Sequence, residues 1–163
     1  RSGSMAGSQI NQARNAMELF LRSLPSDCYF NIIGFGSRFE TLFPNRSVKY
    51  SKQTLQTASA HVAKLQANLG GTALIGPLQA LGSMPPFPGY SRQVFVLTDG
   101  QVANTDDVLR LVQQQSDSTG ARYFALGIGG GVSHHLVEGI ARAGKGNAQF
   151  VIHDERLETK VIK

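Results

Sequence analysis

Short apolar runs alternate with amphipathic stretches along the whole chain. Residues 8–24 carry apolar side chains at three-and-four spacing, which predicts a helix that ends before Pro25. Residues 51–68 repeat that spacing and predict a second helix, capped by Ser51. Between them, residues 28–35 form an aromatic and β-branched run, which predicts a strand.

The second half of the chain repeats this alternation more regularly. Strands are predicted at 92–98, 122–128 and 148–152, and helices at 73–82, 104–118, 133–143 and 154–163. The strand at 92–98 is expected to be buried, as parallel strands usually are. Gly144 is expected to end the helix at 133–143. The order predicts a Rossmann-like, doubly wound α/β fold with a mostly parallel sheet flanked by helices.

No linker, internal repeat or low-complexity tract divides the chain of 163 residues. One domain over 1–163 is therefore expected. The chain opens on a loop and a helix, whereas a doubly wound sheet begins with a buried strand. We expect that first central strand to be missing ahead of Arg1, so that the domain is truncated at its N-terminus.

Composition narrows the classes of function. The formal net charge is +5, but the basic residues are scattered rather than clustered with aromatics, which argues against a nucleic-acid partner. The apolar runs are short and broken by glycine, so no membrane insertion is expected. The single cysteine, Cys28, cannot form an internal disulfide and is interpreted as a small core residue.

Three short segments combine hydroxyl side chains, glycine and a carboxylate at predicted element boundaries. They are residues 1–5, 70–72 and 98–100. In open sheets of this class, sites form beyond the carboxyl ends of the strands, which is where the third segment lies. Oxygen ligands of this kind suit hard cations such as Mg²⁺. Taken singly, each segment is also typical of an ordinary cap or turn.

Taken in order, the three segments resemble the metal-ion-dependent adhesion site of the von Willebrand factor A family. The loops of that site contain Asp-x-Ser-x-Ser, then Thr, then Asp. Ser2 and Ser4 match the two serines, Thr72 matches the threonine, and Asp99 matches the second acid. The opening aspartate of the family would stand directly before Arg1, where the full-length sequence is expected to carry it.

The resemblance implies a domain that binds a partner protein and catalyses nothing. It implies Mg²⁺, with Mn²⁺ or Ca²⁺ as alternatives, held by Ser2, Ser4, Thr72 and Asp99. Because the hydroxyl ligands are neutral, the under-neutralised cation would attract an Asp or Glu side chain of the partner. Without the opening acid, the chain that begins at Arg1 is expected to bind metal weakly or not at all.

Three further stretches narrow the resemblance. Residues 30–37, 69–72 and 124–129 are similar to intracellular proteins that join this domain to an upstream vault/inter-alpha-trypsin (VIT) module. An intracellular, cytoplasmic protein with an upstream VIT domain is therefore expected. Secreted inter-alpha-trypsin inhibitor heavy chains share the architecture and are the alternative.

Other functions use overlapping residues. A scaffold domain whose metal site has lapsed is the first alternative, and an aspartate before Arg1 would argue against it. In a nucleotide-binding enzyme, the glycines that follow the strand at 122–128 would form a dinucleotide fingerprint, but Val132 stands where the last glycine is required. In a hydrolase, Ser4 would need glycines at positions 2 and 6, where Ser2 and Ala6 stand.

The histidines and one further serine complete the candidate residues. His134 and His135 are adjacent at a predicted helix start, so both cannot face one ion, and they are interpreted as surface residues or caps. His61 and His153 have no acid or cysteine at metal-ligand spacing. Ser37 is interpreted as a loop residue, with an indirect contact to the metal site as the alternative.

Overall fold

The computed structural model describes residues 1, 3–44, 46–84, 87–99, 102, 104–129 and 132–151, and only the backbone of Ser4. The chain divides into two compact units, one from Arg1 to Gly71 and one that begins at Thr72. Each unit is described by itself. The predicted helix at 154–163 lies outside the described residues.

Two helices dominate the first unit, close to where the apolar spacing predicts them. Helix α1 spans Ser8–Ser23, and it ends there because Leu24, which precedes a proline, takes the extended conformation that proline imposes. Helix α2 spans Lys52–Ala63, and Ser51 caps its N-terminus, as predicted. The hydroxyl of Ser51 accepts a hydrogen bond from the Thr54 amide at 3.1 Å, and the hydroxyl of Thr54 accepts one from the Ser51 amide at 2.8 Å.

The end of α2 differs from the prediction by several residues. The helix stops at Ala63 rather than at 68, and the amide of Lys64 turns back to the carbonyl of His61 at 3.1 Å. Leu65, which continues the apolar spacing, is buried although it lies outside the helix. Apolar periodicity therefore located a core position correctly while misplacing the helix end.

The prediction of one strand over 28–35 is wrong. Two short strands stand there, β1 at Tyr29–Phe30 and β2 at Ile33–Phe35. Asn31 separates them because its side-chain oxygen accepts the amides of Ile32 at 2.8 Å and Phe43 at 3.0 Å. The Asn31 side chain thus replaces backbone pairing at that point.

The two short strands pair with two strands that the sequence pattern did not indicate. Strand β3 spans Phe39–Thr41 and pairs antiparallel with β2, and β4 spans Val48–Lys49 and pairs antiparallel with β1. The core of this unit lies between these strands and the α1–α2 pair. One cluster of this core has the buried members Leu21, Phe30, Ile32, Ala58, Val62 and Leu65.

The second unit contains the predicted parallel sheet. Strands β5 at Gln93–Thr98, β6 at Arg122–Ile128 and β7 at Lys145–Val151 pair in that order, and both pairings are parallel. The connecting helices are α3 at Ile75–Ser83, α4 at Thr105–Thr119 and α5 at His134–Ala143. Helix α5 packs on β6 and β7 and against α4. The predicted Rossmann-like α/β class is confirmed.

Two details of this sheet depart from the expectations. Strand β7 begins three residues ahead of the predicted 148. Strand β5 is buried only in its second half, at Val96 and Thr98, whereas Phe95 is 44% exposed and stacks on Phe124 at 5.0 Å. Because β5 lies at the edge of the sheet that the described residues form, one of its flanks lacks a neighbouring strand.

The start of β7 requires glycine on steric grounds. Gly144 ends α5 as predicted, and a Cβ atom there would lie 2.3 Å from the Cβ of Tyr123. Lys145 follows with a positive φ of 60°. A Cβ on Gly146 would lie 2.0 Å from the Tyr123 carbonyl oxygen. The backbone of β7 therefore approaches β6 more closely than any residue with a side chain permits.

Tyr123 joins three elements of the second unit. Its side chain is 1% exposed, and its phenol donates a hydrogen bond to the side-chain oxygen of Gln115 on α4. The Gln115 amide in turn donates to the Leu78 carbonyl of α3 at 2.8 Å. Burial raises the pKa of Tyr123 to about 12, against the opposing influence of the Arg92 charge.

The Tyr123→Phe variant is expected to be less stable than the wild type at pH 7 by about 1 to 3 kcal/mol, because it leaves Gln115 without its donor. The folded pKa of Tyr123 is raised above the ordinary 10.0. Its contribution is therefore fully present below pH 10 and is lost as pH rises toward 12. Urea denaturation of both proteins at pH 7 and pH 11 checks this: the wild type loses more free energy of unfolding than the variant does.

The exposed Tyr90 provides the control, since Tyr90→Phe removes a phenol that is 42% exposed. That variant should follow the wild type at both pH values. Equal losses for Tyr123→Phe and the wild type between pH 7 and pH 11 would contradict the account of the buried phenol.

Candidate functional site

Within the first unit, the loop that begins at Arg1 lies against residues 69–71, which directly precede Thr72. Residues Gly3–Met5 form a short 3-10 helix that leads into α1. The Gly3 amide donates to the Gly70 carbonyl at 2.6 Å, and the Leu69 amide donates to the Arg1 carbonyl at 3.0 Å. Two backbone hydrogen bonds therefore join the loop that carries the two matched serines to the loop that precedes Thr72. Ser2 and the Ser4 side chain lie outside the described residues.

The turn after β2 also makes hydrogen bonds to the 69–71 loop. The Ser37 amide donates to the Leu69 carbonyl at 2.6 Å, and the Ser37 hydroxyl accepts the Gly71 amide at 2.8 Å. Gly36 must be glycine here, because a Cβ atom would lie 2.4 Å from the Leu69 carbonyl oxygen. Gly70 has a φ of 79°, a conformation that favours glycine.

Ser37 therefore contacts the residue directly before Thr72. The sequence offered little signal for this role, because a serine after a short strand is typical of any turn. The contacts of Arg1 were likewise not predicted: its side chain donates hydrogen bonds to Glu40, Gln66 and Asn68. Both contacts join residues that are far apart in the chain, and local patterns do not report such contacts.

Thr72 is half-buried at the start of the second unit. The interpretation of Gly70-Gly71-Thr72 as a plain helix opening is wrong, since α3 begins at Ile75 and its N-cap position is Leu74. Thr72 therefore stands ahead of the helix rather than at its cap.

Asp99 directly follows β5 and is only 8% exposed, and Thr98 before it is 4% exposed. This is the carboxyl end of a parallel strand, as the sequence predicted. The structure describes Asp99 within the second unit, while the joined loops at Arg1–Met5 and Leu69–Gly71 belong to the first.

The three described histidines have different surroundings. His134 stacks on Phe150 with ring centroids 4.2 Å apart, and the exposed His135 lies 3.8 Å from Asp106. The Nε2 atom of His61 is buried on α2, and His153 lies outside the described residues. In the described part of the chain, no group of three or more His, Cys, Asp or Glu side chains is placed to hold a metal. A site built mainly from hydroxyls would not produce such a group.

Two other candidates find structural explanations. Gly127, the first glycine of the possible dinucleotide fingerprint, lies in β6, and a Cβ atom there would come within 2.9 Å of the Phe150 ring. Close packing therefore accounts for it, while Gly130 and Gly131 lie outside the described residues. Cys28 is half-buried rather than in the core, and burial raises the pKa of its thiol, which disfavours the reactive thiolate.

No helix among the described residues has the length and apolar character needed to cross a bilayer.

The parallel sheet of β5, β6 and β7 with its helices defines an α/β fold. The sequence model of the von Willebrand factor type A domain matches residues 1–150. The chain belongs to this family.

Individual relatives agree with the family. Human von Willebrand factor A domain-containing protein 5A is 41% identical over 172 residues, which covers 100% of this chain and 22% of that protein. The solved von Willebrand factor type A structure from Catenulispora acidiphila has a TM-score of 0.82 at 22% identity, over 99% of this chain and 38% of that one. Proximal thread matrix protein 1 of the mussel byssus, solved with a zinc-occupied adhesion motif, has a TM-score of 0.74 at 18% identity, over 94% of this chain and 40% of that one. The chain spans about a fifth of its human relative.

Proposed function

We propose that this domain is a non-enzymatic protein-interaction module that binds an acidic side chain of a partner through Mg²⁺, with Mn²⁺ or Ca²⁺ as alternatives. The observation that carries the proposal is the pair of backbone hydrogen bonds between the Arg1–Met5 loop and the Leu69–Gly71 loop, at 2.6 and 3.0 Å. They join the loop that begins at Arg1 to the Leu69–Gly71 loop, which directly precedes Thr72 in the chain.

The donor set fits a hard cation. Ser2, Ser4 and Thr72 would supply neutral hydroxyl oxygens, and Asp99 would supply a carboxylate, partly through water. Oxygen-only donors suit Mg²⁺ far better than they suit soft metals. The place of Asp99 adds support, because it lies at the carboxyl end of the parallel strand β5, where sheets of this class form their sites.

The charge balance of this donor set explains why it would bind rather than catalyse. Hydroxyls leave most of the charge of the ion uncompensated, so an Asp or Glu of a partner is drawn to it. Human von Willebrand factor A domain-containing protein 5A is named for its domain and not for a reaction. The metal ion, when bound, supplies the electrostatic attraction for that acidic side chain.

The setting of the domain is also a proposal. We propose that it belongs to a cytoplasmic protein with an upstream VIT domain, as the resemblance of residues 30–37, 69–72 and 124–129 implies. Detection of the full-length protein in cytosolic extract, rather than in secreted medium, would support this placement over the secreted alternative.

Metal binding is tested directly on the full-length protein with Mn²⁺, whose paramagnetic resonance signal falls when the ion is bound. One bound Mn²⁺ per domain, displaced by excess Mg²⁺, is the expected result. Parallel titrations with Ca²⁺ and Zn²⁺ establish which ion the site prefers, since the mussel protein was solved with zinc. Absence of any saturable site would favour a scaffold domain whose metal site has lapsed.

A further inference from the structure

The Arg1 side chain donates hydrogen bonds to residues in two parts of the first unit. Its Nε donates to the Gln66 carbonyl at 3.1 Å, one terminal nitrogen donates to the Glu40 carboxylate at 2.7 Å, and the other donates to the Asn68 side-chain oxygen at 2.6 Å. Strand β3 and the segment after α2 are thereby connected through one guanidinium. A planar group with several donors can make all three bonds at once, whereas an ammonium cannot bridge acceptors so far apart.

The packing around this guanidinium is close. The Arg1 side chain is 12% exposed. A Cβ atom on Gly34 of β2 would lie 2.6 Å from the Arg1 Cδ, so the arginine stem occupies the space that glycine leaves open. The hydrogen bond and the charge of Arg1 hold the pKa of the Glu40 carboxyl below its usual range.

The backbone of Arg1 takes part in the same connection. Its carbonyl accepts the Leu69 amide at 3.0 Å, and two residues later the Gly3 amide donates to Gly70 at 2.6 Å. The Arg1 side chain thus anchors the start of the Arg1–Met5 loop, at the point where that loop meets the Leu69–Gly71 loop.

We infer that Arg1 is a positioning residue for the proposed metal site: its guanidinium bonds to Glu40, Gln66 and Asn68 and so holds the chain at Arg1 and Gly3 against the Leu69–Gly71 loop before the ion binds. The inference rests on the proposed function for its effect on metal affinity. Its structural part, the order of the two loops, can be measured without any metal.

The sign of the effect separates positioning from simple charge repulsion. Arg1 is a cation next to a loop that is proposed to bind a cation. If its charge alone mattered, its removal would strengthen metal binding, because like charges repel. If it positions the loop, its removal weakens metal binding, because the ligands lose their fixed arrangement.

The experiment compares Mn²⁺ affinity, by paramagnetic resonance, in full-length wild type, Arg1→Gln and Arg1→Lys. Arg1→Gln should bind about 10- to 100-fold more weakly, the usual cost when a contact that orients a metal ligand is lost. Arg1→Lys keeps the charge and one bond to Glu40, and should recover only part of the affinity. Affinity equal to or tighter than wild type in Arg1→Gln would overturn the inference.

Arg38→Gln is the matched control, since Arg38 also pairs with Glu40, at 3.6 Å, but is 68% exposed. It removes one positive charge from the same carboxylate, and an exposed pair of this kind contributes little. Its Mn²⁺ affinity should stay within about twofold of wild type. A loss as large as that of Arg1→Gln would show that the charge balance of Glu40, and not the anchoring of the loop, is responsible.

Hydrogen exchange of the metal-free proteins keeps the inference testable if wild type binds no metal. The amides of Gly3 and Leu69 should exchange about tenfold or more faster in Arg1→Gln, because their hydrogen bonds depend on the anchored loop. Without Mn²⁺ binding in wild type, the proposed function fails and exchange alone decides the role of Arg1. Unchanged exchange at both amides would overturn it.

Discussion

Asp99→Ala and Thr72→Ala are each expected to abolish Mg²⁺-dependent capture of the partner by the full-length protein. Asp99 is the one carboxylic acid in the matched set, and Thr72 follows the loop that Gly3 and Ser37 hold in place. Contacts that merely orient a ligand are typically worth about 10- to 100-fold in metal affinity, so loss of a ligand should exceed that range. Immobilised protein, incubated with partner at fixed Mg²⁺, provides the measurement.

Two variants control for charge and for shape. Asp107→Ala removes another acid of the second unit, which pairs with Arg110 at 2.7 Å on the exposed surface of α4. Thr72→Ser keeps the hydroxyl and removes only a methyl group. Both should capture the partner as wild type does. Normal capture by Asp99→Ala or Thr72→Ala would show that the partner binds elsewhere.

Gly146→Ala is expected to give the largest loss of stability, about 3 kcal/mol or more. Its Cβ would stand 2.0 Å from the Tyr123 carbonyl oxygen, and a backbone atom cannot rotate away as a side chain can. Relief requires β7 to separate from β6 near the irregular register between Tyr123 and Ala125. Chemical denaturation followed by circular dichroism measures the free energy of unfolding.

Gly120→Ala distinguishes steric collision from backbone strain. Gly120 has a φ of 75° at the end of α4, and nothing lies within 4 Å of the Cβ position. The alanine there should cost only about 1 to 2 kcal/mol, the penalty for a left-handed residue with a side chain. Equal losses for the two variants would refute the close approach of β7 to β6.

The sequence predicted elements best where one local rule dominated. The cap at Ser51 located the start of α2, and the proline after Leu24 located the end of α1. The run at 122–128 matched β6 residue for residue. Prediction failed where a side chain replaced backbone pairing. Asn31 divides the run at 28–35, because its side-chain oxygen accepts hydrogen bonds from the amides of Ile32 and Phe43. Phe43 belongs to a later segment of the chain.

The residues of the candidate site could be proposed from the sequence, whereas the contacts that hold its loops could not. Thr72 and Asp99 could be proposed from motif order, and Asp99 does lie buried at the carboxyl end of β5. Arg1 and Ser37 could not be assigned their contacts, because those contacts join positions more than thirty residues apart. Periodicity and caps describe neighbours in sequence, so tertiary hydrogen bonds of this kind leave no local pattern.

The central claim, a metal-dependent interaction, is tested most directly by capturing partners with the full-length protein in Mg²⁺, in EDTA, and in EDTA followed by excess Mg²⁺. Bound proteins are identified and quantified in each condition. The account predicts a partner that is retained in Mg²⁺, lost in EDTA and recovered when Mg²⁺ is restored. Retention in EDTA equal to that in Mg²⁺, with Asp99→Ala and Thr72→Ala behaving as wild type, would contradict it.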